Sequence, residues 1–207
     1  YVADTGNHRI QIFDEDGEYL GQFGGEGVEN GKLKEPWDVA VGPDGLIYVA
    51  DTGNHRIQVF QPDGTFVRAW GSQGSQPGQF DSPRGIGLVE VNGETAVYVA
   101  DTNNHRVQRF TAEGVFVGEA GGEGHGEGQF LYPHDVAVIY VPDGFSYLLV
   151  ADTGNHRIMI GEILTEDELA VRKDIEWLEI GFADGDDEGS VTQNVYLPVQ
   201  GPNGTTI

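Results

Sequence analysis

Six histidines are the residues of this 207-residue chain with the plainest capacity for chemistry, since a neutral imidazole can ligate a metal or carry a proton near neutral pH. Four of them, His8, His55, His105 and His156, sit in near-copies of one heptapeptide: DTGNHRI at 4–10, 51–57 and 152–158, and DTNNHRV at 101–107. A catalytic zinc takes about three protein ligands and keeps one position open. Residues that recur once per structural unit are spread through space and cannot converge on one ion. The Asp, Asn, His and Arg of each copy are therefore expected to satisfy backbone groups and to pack between units. His125, in the string GGEGHGEG, reads as a solvated linker residue.

His134 stands apart from these. It follows Pro133, and the same place after two other linker prolines holds Trp37 and Arg84. The next residues are Asp38, Gly85 and Asp135. Scaffold positions repeat along this chain and these do not, which is the pattern of a recognition surface on a regular frame. Trp37 would suit stacking on a sugar or an aromatic group. The candidate ligand-binding set is Trp37, Asp38, Arg84, His134 and Asp135, with no catalytic residue, cofactor site or metal site assigned.

Other chemistry finds little support. Asp184, Asp186, Glu188 and Gly189 imitate the start of a calcium-binding EF-hand loop, but its twelfth position is Val195 instead of Glu, so a surface turn is expected. There is no Gly-x-Ser-x-Gly elbow or phosphate loop, and no cysteine for thiolate chemistry or disulfides. Thirty-four acidic residues against eleven basic ones give a net charge of -23, which opposes nucleic acid and anionic lipid. Four of the eleven basic residues (Arg9, Arg56, Arg106 and Arg157) belong to the heptapeptides, so a basic face is hard to assemble. No run of eighteen apolar residues is present to span a membrane.

The elements that must carry these residues follow from the repeat. The heptapeptides start at residues 4, 51, 101 and 152, a period that marks one supersecondary unit stacked on the next. Within a unit, four short runs rich in Val, Ile, Phe and Tyr are separated by turn clusters such as GPDG, QPDG and DEDG. That is the signature of four antiparallel strands. The second run (LIYVAD, VYVAD, YLLVAD) is apolar throughout, as expected of a strand covered on both faces. Helices are not signalled in the repeats. The fold expected is all-β, a β-propeller with four-stranded antiparallel blades. The inner strands line a central channel, and the residues after the linker prolines lie near one mouth.

A glycine-rich linker, then Phe or Leu, Pro, an inner strand and a strand ending in D-x-x-N-H-R resembles the NHL repeat over residues 1–163. The resemblance implies a propeller that typically closes with six blades. Partial blade 1–24 lacks its innermost strand, blades 36–71 and 83–121 are complete, and partial blade 133–163 lacks a clear outer strand. The ring is thus expected to be incomplete, with further blades before Tyr1. In the NHL-like lyases that cleave peptidyl-α-hydroxyglycine, a Pro-His at the mouth supplies a zinc ligand. Tyr132-Pro133-His134 matches that locally, whereas Trp37 and Arg84 do not.

After Ile163 the pattern changes, and 164–207 reads as a separate segment. A capping box at 165–168 predicts a short helix to about Asp174. Strand-like runs follow at 176–182 and 191–199. The string IGFADGDDEGSVTQNVYLPVQGPNGTTI resembles the opening of atypical bacterial immunoglobulin-like domains, which implies an exported bacterial protein. The expectation is a non-enzymatic binding or scaffold propeller, secreted or attached to the cell surface. It would take a protein, peptide or cell-wall glycan at the channel mouth, without cofactor, nucleic acid or membrane insertion. The alternative is a metal-dependent lyase or hydrolase with its site in the channel.

Overall fold

A computed structural model describes residues 1–91, 93–140, 146–163 and 177–180. The chain is folded as four antiparallel sheets, each with its strands in sequence order. The first holds β1 (Val2–Asp4), β2 (Arg9–Phe13) and β3 (Tyr19–Gly24). The second holds β4 (Val39–Val41), β5 (Ile47–Asp51), β6 (Arg56–Phe60) and β7 (Phe66–Trp70). The third holds β8 (Pro83–Val91), β9 (Glu94–Asp101), β10 (Arg106–Thr111) and β11 (Phe116–Gly121). The fourth holds β12 (Pro133–Tyr140), β13 (Ser146–Asp152), β14 (Arg157–Ile163) and β15 (Trp177–Ile180). These are the blades of a β-propeller.

The fourth blade differs from expectation. Its outer strand is present, with β15 paired antiparallel to β14 from Ile158↔Ile180 to Gly161↔Trp177. In the earlier blades the outer hairpin closes through the short turns around DEDG, QPDG and TAEG, whereas no such tetrapeptide follows Ile163 in the sequence. The long connection hid the strand. The expected helix at 165–174, the acidic turn at 184–189 and the run at 191–199 lie outside the described residues.

Hydrophobic contact between blades holds the stack together. Ile10, Leu33, Ile47, Val49 and Phe60 form the seam between the first two blades. Tyr48, Ile57, Phe80, Val97, Val99 and Phe110 fill the next seam, and Val107, Phe130, Val136, Val150 and Met159 the third. Every residue of β5 is buried, which accounts for its unbroken apolar run. Each linker drives one side chain into a seam: Leu33, Phe80 and Phe130 are fully buried. Burial of one such side chain stabilises by about 1.5–3 kcal/mol. Gly71 and Gly121, at φ 97° and 111°, leave the space those phenyl rings take; a Cβ on Gly71 would sit 2.5 Å from Phe80. No helix among the described residues is long and apolar enough to cross a membrane.

Candidate functional site

The heptapeptide builds the frame of the site. Asp51 has no solvent exposure, and its carboxylate accepts hydrogen bonds from Lys34 N (2.7 Å), Asn54 Nδ2 (3.0 Å), Arg56 Nε (2.7 Å) and Gln58 Nε2 (2.8 Å). Asp101 repeats the set with Asp81 N, Asn104, Arg106 and Gln108. Asp152 repeats it with Leu131 N, Asn155 and Arg157. The arginine then donates onward to linker carbonyls, Arg56 to Glu29 and Lys32, and Arg106 to Gln76 and Gln79. A buried carboxylate paired and hydrogen-bonded on every side is a structural node.

The histidine and threonine of the motif act across the seam. His8, His55 and His105 take left-handed backbone at φ 54–56°. Their Nδ1 atoms accept hydrogen bonds from Glu35 N (2.9 Å), Ser82 N (3.0 Å) and Tyr132 N (3.1 Å) in the following linker. Those three residues are also left-handed, at φ 47°, 54° and 49°, directly before a proline. That combination is sterically disfavoured and persists only where the surroundings hold it. Thr52 and Thr102 add a second hold, donating from Oγ1 to Pro83 O (2.6 Å) and Pro133 O (2.8 Å). The imidazoles are latches, each in its own blade, and the residue two beyond each latch point is one of those expected at the mouth: Trp37, Arg84 or His134.

The mouth residues converge. The Arg84 guanidinium lies 4.1 Å from the centre of the Trp37 ring, within cation–π range. Its Nη1 donates to His134 Nε2 at 2.6 Å, and the Trp37 and His134 rings meet edge-on at 6.4 Å. Bulges at Pro83/Ile86 and at Pro133/Asp135 interrupt the pairing where Arg84 and His134 sit. Burial, with the Arg84 charge, pushes the His134 imidazole below its ordinary pKa, and burial pulls the Arg84 guanidinium down as well. Arg84 Nε is buried with no hydrogen-bond partner among the described residues. Trp37 keeps 47% of its surface exposed, so the cluster opens to solvent.

The two aspartates of the candidate set do different work. Asp38 uses Oδ1 on Val39 N (2.7 Å) and Oδ2 on Ile86 N (2.8 Å), tying its own inner strand to that of the next blade. Burial raises its pKa, which those two backbone donors offset in part. Asp135 caps Val136 N in the same way at 2.8 Å and remains exposed. Gly85 stands where the other blades carry Asp because the Asp135 backbone crowds it, with a Cβ there only 2.5 Å from Asp135 Cα. Sequence reasoning missed Tyr132, whose exposed ring packs 4.5 Å from His105 beside the mouth. Its place immediately before the linker proline was the available signal. His125 is an exposed linker residue, as expected; its ring makes a hydrogen bond with Asn155, and its carbonyl accepts from Arg157.

Comparison with known proteins agrees with this architecture. Residues 33–60 and 80–110 match the NHL repeat, and residues 171–207 match the atrophied bacterial Ig domain. Virginiamycin B lyase from Staphylococcus aureus superposes with a TM-score of 0.55 at 18% identity, over 86% of this chain and 50% of that one. Hydrazine synthase from Kuenenia stuttgartiensis gives 0.56 at 17%, over 85% of this chain and 45% of that one. An auxiliary nutrient binding protein from Bacteroides thetaiotaomicron gives 0.54 at 17%, over 75% and 43%. At such identities the likeness is one of fold. The chain spans about half the length of the solved structures it matches first. No curated protein sequence matches it.

Proposed function

We propose that this chain, an NHL-repeat β-propeller followed by an Ig-like sequence, is a non-enzymatic binding module of an exported bacterial protein. Its ligand, a protein, a peptide or a cell-wall glycan, docks on Trp37, Arg84 and His134 at the channel mouth. The observation that carries this reading is the convergence of three unlike side chains, from three blades, on positions held by one repeated latch. An exposed indole backed by a guanidinium offers a stacking face and a cation together. Asp38 and Asp135 enter as positioning residues, because their carboxylates cap inner-strand amides.

The mouth does not fit a zinc centre. The Nε2 lone pair of His134 is taken by Arg84, whose charge opposes a divalent cation, and Trp37 and Arg84 fill the equivalent places with groups that are not zinc ligands. A lyase or hydrolase reading draws on the likeness to the virginiamycin B lyases and on Tyr132-Pro133-His134. Stoichiometric zinc in the purified protein, lost in His134→Ala, would put that reading in place of ours. The direct test probes glycan and peptide arrays with the 207-residue chain. Binding that falls at least tenfold in Trp37→Ala and in Arg84→Ala is expected; binding indifferent to both variants would sink the proposal.

A further inference from the structure

A second site lies away from the mouth, in the third blade. A cavity of about 240 Å³ opens there, lined by Val91, Glu94, Ala96, Arg109, Thr111 and Val117 among others. Arg109 is out of place by the logic of the repeat. Counting from the motif arginine, the same β-strand position holds Ile12, Val59 and Ile160 in the other blades. Its Nε is buried without a hydrogen bond, and no described carboxylate lies within ion-pair distance of its guanidinium. The Tyr98 ring lies 5.9 Å from its guanidinium, at the edge of cation–π range. A buried guanidinium N–H without an acceptor is costly to hold, and a bound anion would remove that cost.

The second blade offers a comparison. Tyr48, the counterpart of Tyr98, donates its hydroxyl to Asp44 at 2.7 Å, with Arg68 Nη2 3.4 Å from the same oxygen. Arg68 in turn donates from Nε to the Ala112 carbonyl at 2.8 Å. Tyrosine, arginine and carboxylate are thus all supplied by the chain. The third blade has the tyrosine, an arginine on a different strand and, seven residues before its motif aspartate as Asp44 is, Glu94. Glu94 lines the cavity without pairing with Arg109.

We infer that this cavity binds a carboxylate, with the anion on Arg109 and an apolar tail against Val91, Ala96 and Val117. Two sources share that chemistry: a small free carboxylic acid and an acidic side chain of a partner protein. Glu94, a like charge at the site, weakens the binding of either. The inference is independent of the mouth and stands whether or not that site binds a ligand.

Sodium butyrate titrated into the ¹⁵N-labelled 207-residue chain, with sodium chloride as the ionic control, tests it by NMR. The Arg109 Nε–H signal, identified by its loss in Arg109→Ile, should shift and saturate with butyrate and not with chloride. The backbone signals around the cavity should lose their butyrate response in Arg109→Ile, with affinity down roughly ten- to hundredfold. That variant carries the side-chain type of the sister blades, so its fold and melting temperature are expected to hold or rise. Glu94→Gln should bind butyrate more tightly than the parent. Shifts that are equal with chloride, fail to saturate, or persist in Arg109→Ile would overturn the inference. N-acetyl-glutamate-α-amide in a second titration separates the sources: tighter binding than butyrate points to a protein partner, weaker binding to a free acid, and both uphold the site.

Discussion

The heptapeptide node and the channel mouth are made from the same polar residue types and behave in opposite ways. At Asp51, Asp101 and Asp152, every carboxylate oxygen is committed to donors of the frame, and the arrangement is copied from blade to blade. At the mouth, no two blades present the same side chain, and Trp37 remains half exposed. The contrast teaches that repetition here marks what must not move, and departure from repetition marks what the frame leaves free. Between the two lie the latch histidines, which belong to the frame by sequence and to the mouth by contact.

The largest effect should come from breaking the frame. Asp101→Ala takes from buried Arg106 its buried carboxylate, leaving only the more exposed Glu119, and strands several donors, so a loss of about 3–5 kcal/mol is expected in urea unfolding. A loss below that of an ordinary surface substitution would erase the distinction between node and mouth. A middle effect tests the latch. His55→Ala removes the acceptor for Ser82 N and leaves alanine in left-handed backbone, for a cost of about 1–3 kcal/mol. His55→Asn, which tolerates that backbone, should recover part of the stability. If the latch positions the mouth, His55→Ala should also shift the Arg84 Nε–H resonance, which a purely structural role elsewhere in the blade would leave in place.

The smallest effect is one of pH, at the mouth itself. His134 is held below its ordinary pKa, so the unfolded chain takes up a proton first as the pH falls. Stability from this group is complete above the ordinary imidazole pKa of about 6.5 and declines as acid carries the pH down toward the lowered folded value. The decline should flatten in His134→Gln. An unchanged slope in melting temperature between neutral and mildly acid pH would show that His134 does not contribute as described.

The blades were legible because the heptapeptide fixes a phase. Once Asp51 to Ile57 is aligned with Asp101 to Val107, the strand that precedes it and the turn that follows it fall into place. The outer strand of the fourth blade was not, since a long connection replaces the short turn that announces the others. At the mouth, the positions of Trp37, Arg84 and His134 could be read from the linker prolines. Their mutual contact could not, because it depends on two bulges and on how closely neighbouring inner strands approach. That Asp38 and Asp135 each cap an amide could not be read either, because a carboxylate after an aromatic or a histidine carries no sign of it. Arg109 was visible as a charge in an aliphatic column, but only the third dimension shows that its Nε has no acceptor among the described residues.

The latch also has a direction. His55 and Thr52 are translated well before Ser82 and Pro83, the groups they grip, and the same order holds for His105 and Thr102 with Tyr132 and Pro133. Each wedge thus leaves the ribosome already carrying the catch that its successor will close upon. Growth of the array from its N-terminal side can proceed one wedge at a time, in step with synthesis.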